Sequence, residues 1–376
     1  MPILAARERV PARDPACETT HMRIVELRSD TFTKPTAEMR RAIAEAEVGD
    51  DQYGEDPTVN RLEERSAEVV GKQAALYVPS GMMGNLCGVL AQAERGDEVI
   101  LGDMAHIHQN EMGAFTVLGG IHPRLVPNRD GLPALEDIEA AFRPAAGMFP
   151  RTALVCLENS HNNCGGTVLT ADETRAVSDL AHRLGAKVHL DGARIFNASA
   201  ALGVDPRVLT APVDTVQFCF SKGLAAPVGS ILCGDRETVA RARRVRKTLG
   251  GAMRQAGVIA AAALVALERA RDRLGEDNAN ARVLAEGLAS IRGIRIDAAK
   301  VMTNIVAFEV DPAWMDAGAF QKACSERGVR LSRYLGNSPR LRAVTHVDVT
   351  RADIGSALAV ISDVLAAARK PVAAAD

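Results

Sequence analysis

Two short apolar runs of this chain each end in a single reactive charge. Ala186-Lys187-Val188-His189-Leu190 runs into Asp191-Gly192-Ala193-Arg194, and the run from Val213 to Phe220 leads into Ser221-Lys222-Gly223. Such runs read as buried strands of a parallel sheet. Both deliver their polar residue at the carboxyl end, the edge where open α/β sheets bind ligands. A carboxylate and an amine on one edge have a definite use. The amine can condense with an aldehyde, and the carboxylate can keep a pyridine nitrogen protonated, which is what pyridoxal 5′-phosphate requires. The lysine is a marked choice, because only eight of the 45 Lys plus Arg are Lys. Arg cannot do this work, since its guanidinium stays charged.

Other candidates fall around these two. Ser80-Gly81-Met82-Met83-Gly84-Asn85 sits between a strand and a helix, where free backbone N–H groups at a helix N-terminus make a phosphate site. No GxGxxG or GxxxxGK[ST] occurs, which counts against dinucleotide and P-loop readings. His106 follows the strand expected at 97–101 and reaches the same edge, where an imidazole can stack on the cofactor ring and accept a substrate proton. His189 falls inside a strand and reads as a satisfied core histidine; His108 and His122 give no separate signal. Arg194 and Arg342 could form a bidentate clamp on an amino-acid carboxylate. The basic run Arg241 to Lys247 reads as a solvated or interface helix, with nucleic-acid binding as its alternative.

The elements that position these residues follow from periodicity. Strands are expected at 74–78, 97–101, 121–126, 152–158, 187–190, 213–219 and 228–233. Helices are expected at 36–47, 58–70, 82–94, 133–143 and 171–184, which together make an α/β fold with a largely parallel sheet. A helical region over 236–274, broken near Gly250-Gly251, precedes short strands at 294–296, 303–309 and 340–344 with helices at 277–289, 316–326 and 351–368. The division expected is a mobile N-terminal extension over 1–22, a large domain over 23–274 and a small C-terminal α/β domain over 275–376. Met22 is a possible true start, and an Arg-rich organellar presequence is the competing reading of the extension.

The 376 residues are 47% hydrophobic and 24% charged, with a net charge of −2. That is an ordinary soluble composition, with no field suited to nucleic acid or an anionic membrane. The longest apolar stretch, Val258 to Leu267, is too short to span a bilayer. Seven scattered cysteines without CxxC spacing read as buried thiols in a reducing compartment, with no metal site expected and a cytoplasmic location.

Ordered segments from Leu27 to Thr350 resemble the L-threonine aldolases, pyridoxal-phosphate enzymes of the aspartate-aminotransferase fold (fold type I). They include Leu27-Arg28-Ser29-Asp30-Thr31, Val48 to Pro57, Glu158-Asn159-Ser160-His161-Asn162, His189 to Ala198, Ser221-Lys222-Gly223-Leu224, Gly250 to Gln255 and Val344 to Val349. The resemblance implies that Lys222 holds the cofactor, Asp191 its pyridine nitrogen, and that His106 stacks on the ring. It places Ser29, Arg194 and Arg342 on the substrate carboxylate. Gly81, Met82 and Arg254 would meet the phosphate, Arg254 reaching across from a neighbouring subunit, with Ser221 beside the cofactor. Tyr53 would lie near a subunit boundary and the substrate. It also implies a homotetramer of dimers that share active sites, acting on small amino acids.

Two positions depart from that family's pattern. Met82 stands where threonine is usual, leaving Ser80 or Ser221 to supply a hydroxyl to the phosphate. Met148 stands where many members carry a histidine near the substrate hydroxyl. The expected reaction is cleavage of L-threonine or L-allo-threonine to glycine and acetaldehyde. The alternatives are a phenylserine aldolase, a serine hydroxymethyltransferase-like or a β-eliminating enzyme.

Overall fold

The computed structural model describes residues 23–143, 147–334 and 338–368. The extension expected over residues 1–22 lies outside them. The frame is a seven-stranded sheet. In spatial order its strands are Ala74–Val78, Ser230–Gly234, Thr215–Cys219, Lys187–Asp191, Thr152–Glu158, Glu98–Gly102 and His122–Val126. All run parallel except Ser230–Gly234, which is antiparallel to both neighbours. That reversal has a physical cause. Only residues 220–229 connect it to the preceding strand, and a parallel crossover needs a dozen or more residues, usually with a helix. The same short connection carries Ser221 and Lys222.

Both faces of this sheet are covered, so its strands are apolar on both sides. On Thr152–Glu158, Val155 and Leu157 enter one core with Val188, Leu190, Phe218 and Phe220, while Leu154 and Cys156 enter the other with Leu86 and Leu101. Phe218 meets Phe196 and Phe220 edge-on at centroid distances of 5.0 and 5.3 Å, a preferred aromatic geometry. These contacts hold the strand that ends before Lys222.

The expected helical region splits into Arg236–Thr248 and Gly257–Val265, and Gly250 between them takes the left-handed conformation at φ 77°. A second, four-stranded antiparallel sheet follows, in the order Ile294–Arg295, Ile305–Val310, Arg340–Val344, Ser332–Arg333. Helices Leu274–Ala289, Ala317–Glu326 and Arg351–Ala368 supply its core partners.

One contact runs across the expected division. Val25–Glu26 forms a parallel pair with Val329–Arg330, and Val25 and Leu27 lie in the core of the second sheet. The segment before Ser29 therefore packs with the C-terminal unit, although a division at Leu274 assigns it to the first. Two paired residues carry no periodicity, and their partner stands some 300 positions later. The six cysteines among the described residues are free thiols. No helix among those residues is long and apolar enough to cross a membrane.

Candidate active site

The carboxyl edge of the large sheet surrounds a cavity of about 360 Å³. Its lining includes Ser80, Gly81, Met82, His106, Asp191, Ser221 and Lys222, together with Asn85, Glu111 and Gln217. They come from four strands, Ala74–Val78, Glu98–Gly102, Lys187–Asp191 and Thr215–Cys219, or from the segments that follow them. The turn presenting Lys222 is closed by hydrogen bonds from Ala225 N–H to the Lys222 carbonyl at 2.7 Å and from Ala226 N–H to the Phe220 carbonyl at 2.9 Å. Ala225 sits there at φ 62°. Such a conformation costs a non-glycine residue about 1–2 kcal/mol, so the surrounding contacts impose it.

Asp191 is held from three directions. Asn85 Nδ2 donates to Oδ2 at 2.9 Å, and Gln217 Nε2 and Ala193 N–H donate to Oδ1 at 3.0 and 3.1 Å. Burial opposes a charge there. The nearby cations His106 and Lys222 and these hydrogen bonds outweigh it, so the carboxyl titrates below its usual range. Asn85 in turn accepts from Nε2 of His189 at 3.1 Å. Nδ1 of His189 pairs with Thr215 Oγ1 at 2.8 Å, which makes His189 the satisfied core histidine expected. A Cβ on Gly88 would lie 2.6 Å from this ring, so only glycine lets the helix approach so closely.

His106 opens the short helix His106–Gln109. Its backbone N–H donates to Glu158 Oε2 at 2.7 Å, and its Nδ1 lies 2.9 Å from Glu111 Oε1. Burial pulls the imidazole pKa down, but Glu111 above all, with Asp191 and Glu158, raises it above the ordinary value against the opposing charge of Lys222.

Helix Gly81–Leu90 starts at the cavity. Ser80 Oγ takes the N–H of Met83 at 3.2 Å. The N–H groups of Gly81 and Met82 have no protein partner among the described residues, as an anion site at a helix N-terminus needs. A Cβ on Gly81 would lie 2.8 Å from Cys219 Sγ. An ionised carboxylate, a lysine amine and a helix N-terminus around one cavity are the donor set that fits pyridoxal phosphate.

Comparison with known proteins agrees with this chemistry. The beta-eliminating lyase family model matches residues 26–311. Low-specificity L-threonine aldolase 1 of Arabidopsis thaliana is 48% identical over 355 residues, covering 93% of this chain and 99% of that one. The chain belongs to the threonine aldolase family. The low specificity L-threonine aldolase of Escherichia coli K12 is 40% identical over 337 residues, 89% of this chain and 98% of its own. The solved threonine aldolase of Leishmania major shares the fold at TM-score 0.76 and 18% identity, over 90% of this chain and 99% of that one.

The residues expected at the carboxylate end of a threonine aldolase site cluster beside the cavity rather than in its immediate lining. Arg194 is 5% exposed and commits Nε and Nη2 to Asp30 at 2.7 Å each. Its bidentate fork is therefore taken by the protein, leaving Nη1 and one Nη2 hydrogen for a ligand. Arg342 donates Nη1 to Asn162 Oδ1 at 2.6 Å, Nε to Ser332 Oγ at 3.3 Å and Nη2 to the Arg28 carbonyl at 3.2 Å. The charge of Arg194 lies close enough to help burial depress its pKa. Ser29 Oγ accepts from Thr31 N–H at 3.2 Å next to Asp30.

Three expected residues do not reach the cavity of their own chain. Arg254 pairs with Asp50 at 2.8 Å with 58% of its side chain exposed, Tyr53 is 72% exposed, and Met148 is 95% exposed. The basic run 241–247 lies on helix Arg236–Thr248, where Arg246 is buried against Asp51, Arg243 pairs with Glu63 and Arg241 with Glu237. Three of the five charges of the run are thus paired within the protein.

Sequence reasoning passed over Asn85, Glu111, Glu158, Gln217 and Asp30. Asn85 stood inside a segment already singled out, and Asp30 inside Arg28-Ser29-Asp30-Thr31. Neither carries a signal of its own without the fold that brings Asp191 and Arg194 to it.

Proposed function

We propose that this protein is a pyridoxal-phosphate-dependent aldolase cleaving L-threonine and L-allo-threonine to glycine and acetaldehyde. The observation that carries this is the meeting of Lys222, Asp191 and His106 around one cavity, in a chain so similar to threonine aldolases along its length. Bound pyridoxal phosphate supplies the electron sink for the pair released when a bond to Cα breaks.

The protein's own groups do the rest. The Lys222 amine would hold the cofactor through its aldehyde. Asp191, kept ionised by its three donors, retains a proton on the pyridine nitrogen. Gly81 and Met82 N–H groups, with Ser80 and Ser221 hydroxyls nearby, hold the phosphate. Ser29, Arg342 and the free hydrogens of Arg194 hold the substrate carboxylate, and so select the Cα–Cβ bond for cleavage. His106 takes the proton of the β-hydroxyl as that bond breaks and the C=O of acetaldehyde forms. A proton delivered to Cα completes glycine. Positioned proton transfer of this kind contributes on the order of 10²–10⁴-fold.

The working form in this reading is a homotetramer of dimers that share sites, with Arg254 and Tyr53 serving a neighbouring copy. The exposure of Arg254, Tyr53, Met112, Val117, Met148 and Phe149 supports it. A reducing, cytoplasmic setting agrees with the free thiols of the six cysteines among the described residues. Glycine release from threonine, allo-threonine and phenylserine, with and without a folate acceptor, tests the reaction. Glycine formed only with the acceptor, or pyruvate or an oxobutyrate in place of glycine, would replace it with a transferase or an eliminase. Light scattering tests the assembly.

A further inference from the structure

The cavity wall holds a hydrogen-bonded chain longer than the cleavage reaction requires. Glu111 is 3% exposed, and its Oε1 lies 2.9 Å from His106 Nδ1 and 2.8 Å from Asn85 Nδ2. The same Asn85 nitrogen donates to Asp191 Oδ2 at 2.9 Å. A carboxylate only accepts, so the hydrogen between Glu111 and the imidazole belongs to His106 Nδ1. Asn85 spends both amide hydrogens on carboxylates, so its oxygen faces His189 Nε2–H. His189 Nδ1 then accepts from Thr215 Oγ1, which accepts from Gln92 Nε2 at 2.8 Å. Every direction in the chain is set, and no member reverses without stranding a buried partner.

We propose that Glu111 is a positioning residue for the cleavage, fixing the His106 proton on Nδ1 so that Nε2 faces the cavity as the acceptor, while Asn85 ties that setting to Asp191. The inference rests on His106 being the base. His106, Glu111 and Asp191 also meet the spacing of a metal site, with ligand atoms within 4.8 Å of one another. The Asn85 hydrogens already stand between the two carboxylates and tie the three groups together.

The charged groups around His106 are Glu111 on its own segment, Asp191 and Glu158 from two neighbouring strands and Lys222 from the connection beyond Cys219. Burial and the charge of Asp191 raise the Glu111 pKa above its ordinary value, against the opposing pull of His106 and Asn85. In the Glu111→Gln variant the amide oxygen still accepts from Nδ1 but the charge is gone. The geometry survives and the basicity of the imidazole drops.

The test follows the His106 ring by NMR, assigned as the signal missing from His106→Asn, in the protein with and without pyridoxal phosphate. In Glu111→Gln its pKa is expected to fall by about one unit or more, and the acid limb of kcat/KM on L-threonine to move the same way. A simple loss of packing would lower the plateau and leave both titrations in place, and that result overturns the proposal. A moved His106 titration with an unmoved rate profile keeps the pairing but removes His106 as the base, and with it the role of Glu111 in cleavage. Should Glu111→Gln not fold, Glu111→Asp withdraws the charge by one methylene and should give a smaller fall. An unmoved His106 signal there overturns the proposal equally.

Discussion

Arg194 and Asp30 meet through two hydrogen bonds of 2.7 Å, Nε to Oδ2 and Nη2 to Oδ1, with both side chains shut away from solvent. Burial alone would raise the Asp30 pKa. Arg194, Lys222 and the Asn304 amide at 3.1 Å hold it far below the usual carboxylate range instead. The pair joins a loop of the large sheet to the segment that packs on the second sheet. Asp30→Ala leaves an uncompensated buried guanidinium, which costs about 3–5 kcal/mol. Guanidinium denaturation should show a loss of that order. The remaining folded enzyme should have a raised KM, because Arg194 is no longer aimed. A loss within 1 kcal/mol would mean that solvent or another group satisfies Arg194.

Lys222→Ala should purify without the yellow colour that borohydride discharges in the wild type. No other lysine among the described residues lines the cavity. A borohydride-fixed cofactor on a different lysine, seen by peptide mass, would remove Lys222 from its role.

For Asp191→Asn the fold and some cofactor should persist, since the amide can keep part of the hydrogen bonding. Its charge is lost, and with it the means to hold a proton on the pyridine nitrogen. Turnover should fall by at least about a hundredfold, the scale of a lost charge-assisted bond at about 3 kcal/mol. Near-normal turnover would assign the carboxylate another purpose.

His189 adds a pH dependence to stability. Burial lowers its pKa from 6.5 to about 4, with the charge of Asp191 opposing. The unfolded chain therefore binds the extra proton between those values. The contribution is complete above pH 6.5 and is lost as pH falls toward 4, by up to about 3 kcal/mol. In His189→Gln the difference in unfolding free energy between pH 7 and pH 4 should shrink correspondingly. An unchanged difference would place the acid sensitivity elsewhere.

Residues that end a strand were legible before the fold was known. Lys222, Asp191 and Gly81 announce themselves by breaking an apolar run, and the strand and helix positions that present them follow from periodicity. Their supports were not. Asn85 and Asp191 stand 106 positions apart, and Asp30 and Arg194 stand 164 apart. Such pairs exist only once the sheet has assembled, and a single buried Asn or Asp has no period to reveal it. The reversed strand Ser230–Gly234 did leave a trace in its short connection. Its direction was there to be read from length alone.

The pairing of Val25–Glu26 with Val329–Arg330 also sets an order of events during synthesis. At about 5–20 residues per second, the roughly 300 residues between them take about 15–60 s to emerge. For that interval the first strand leaves the ribosome with nothing to join, its Val25 and Leu27 side chains uncovered. A chain cut short anywhere before residue 329 leaves Val25–Glu26 without its partner strand, and its apolar side chains without the core that covers them.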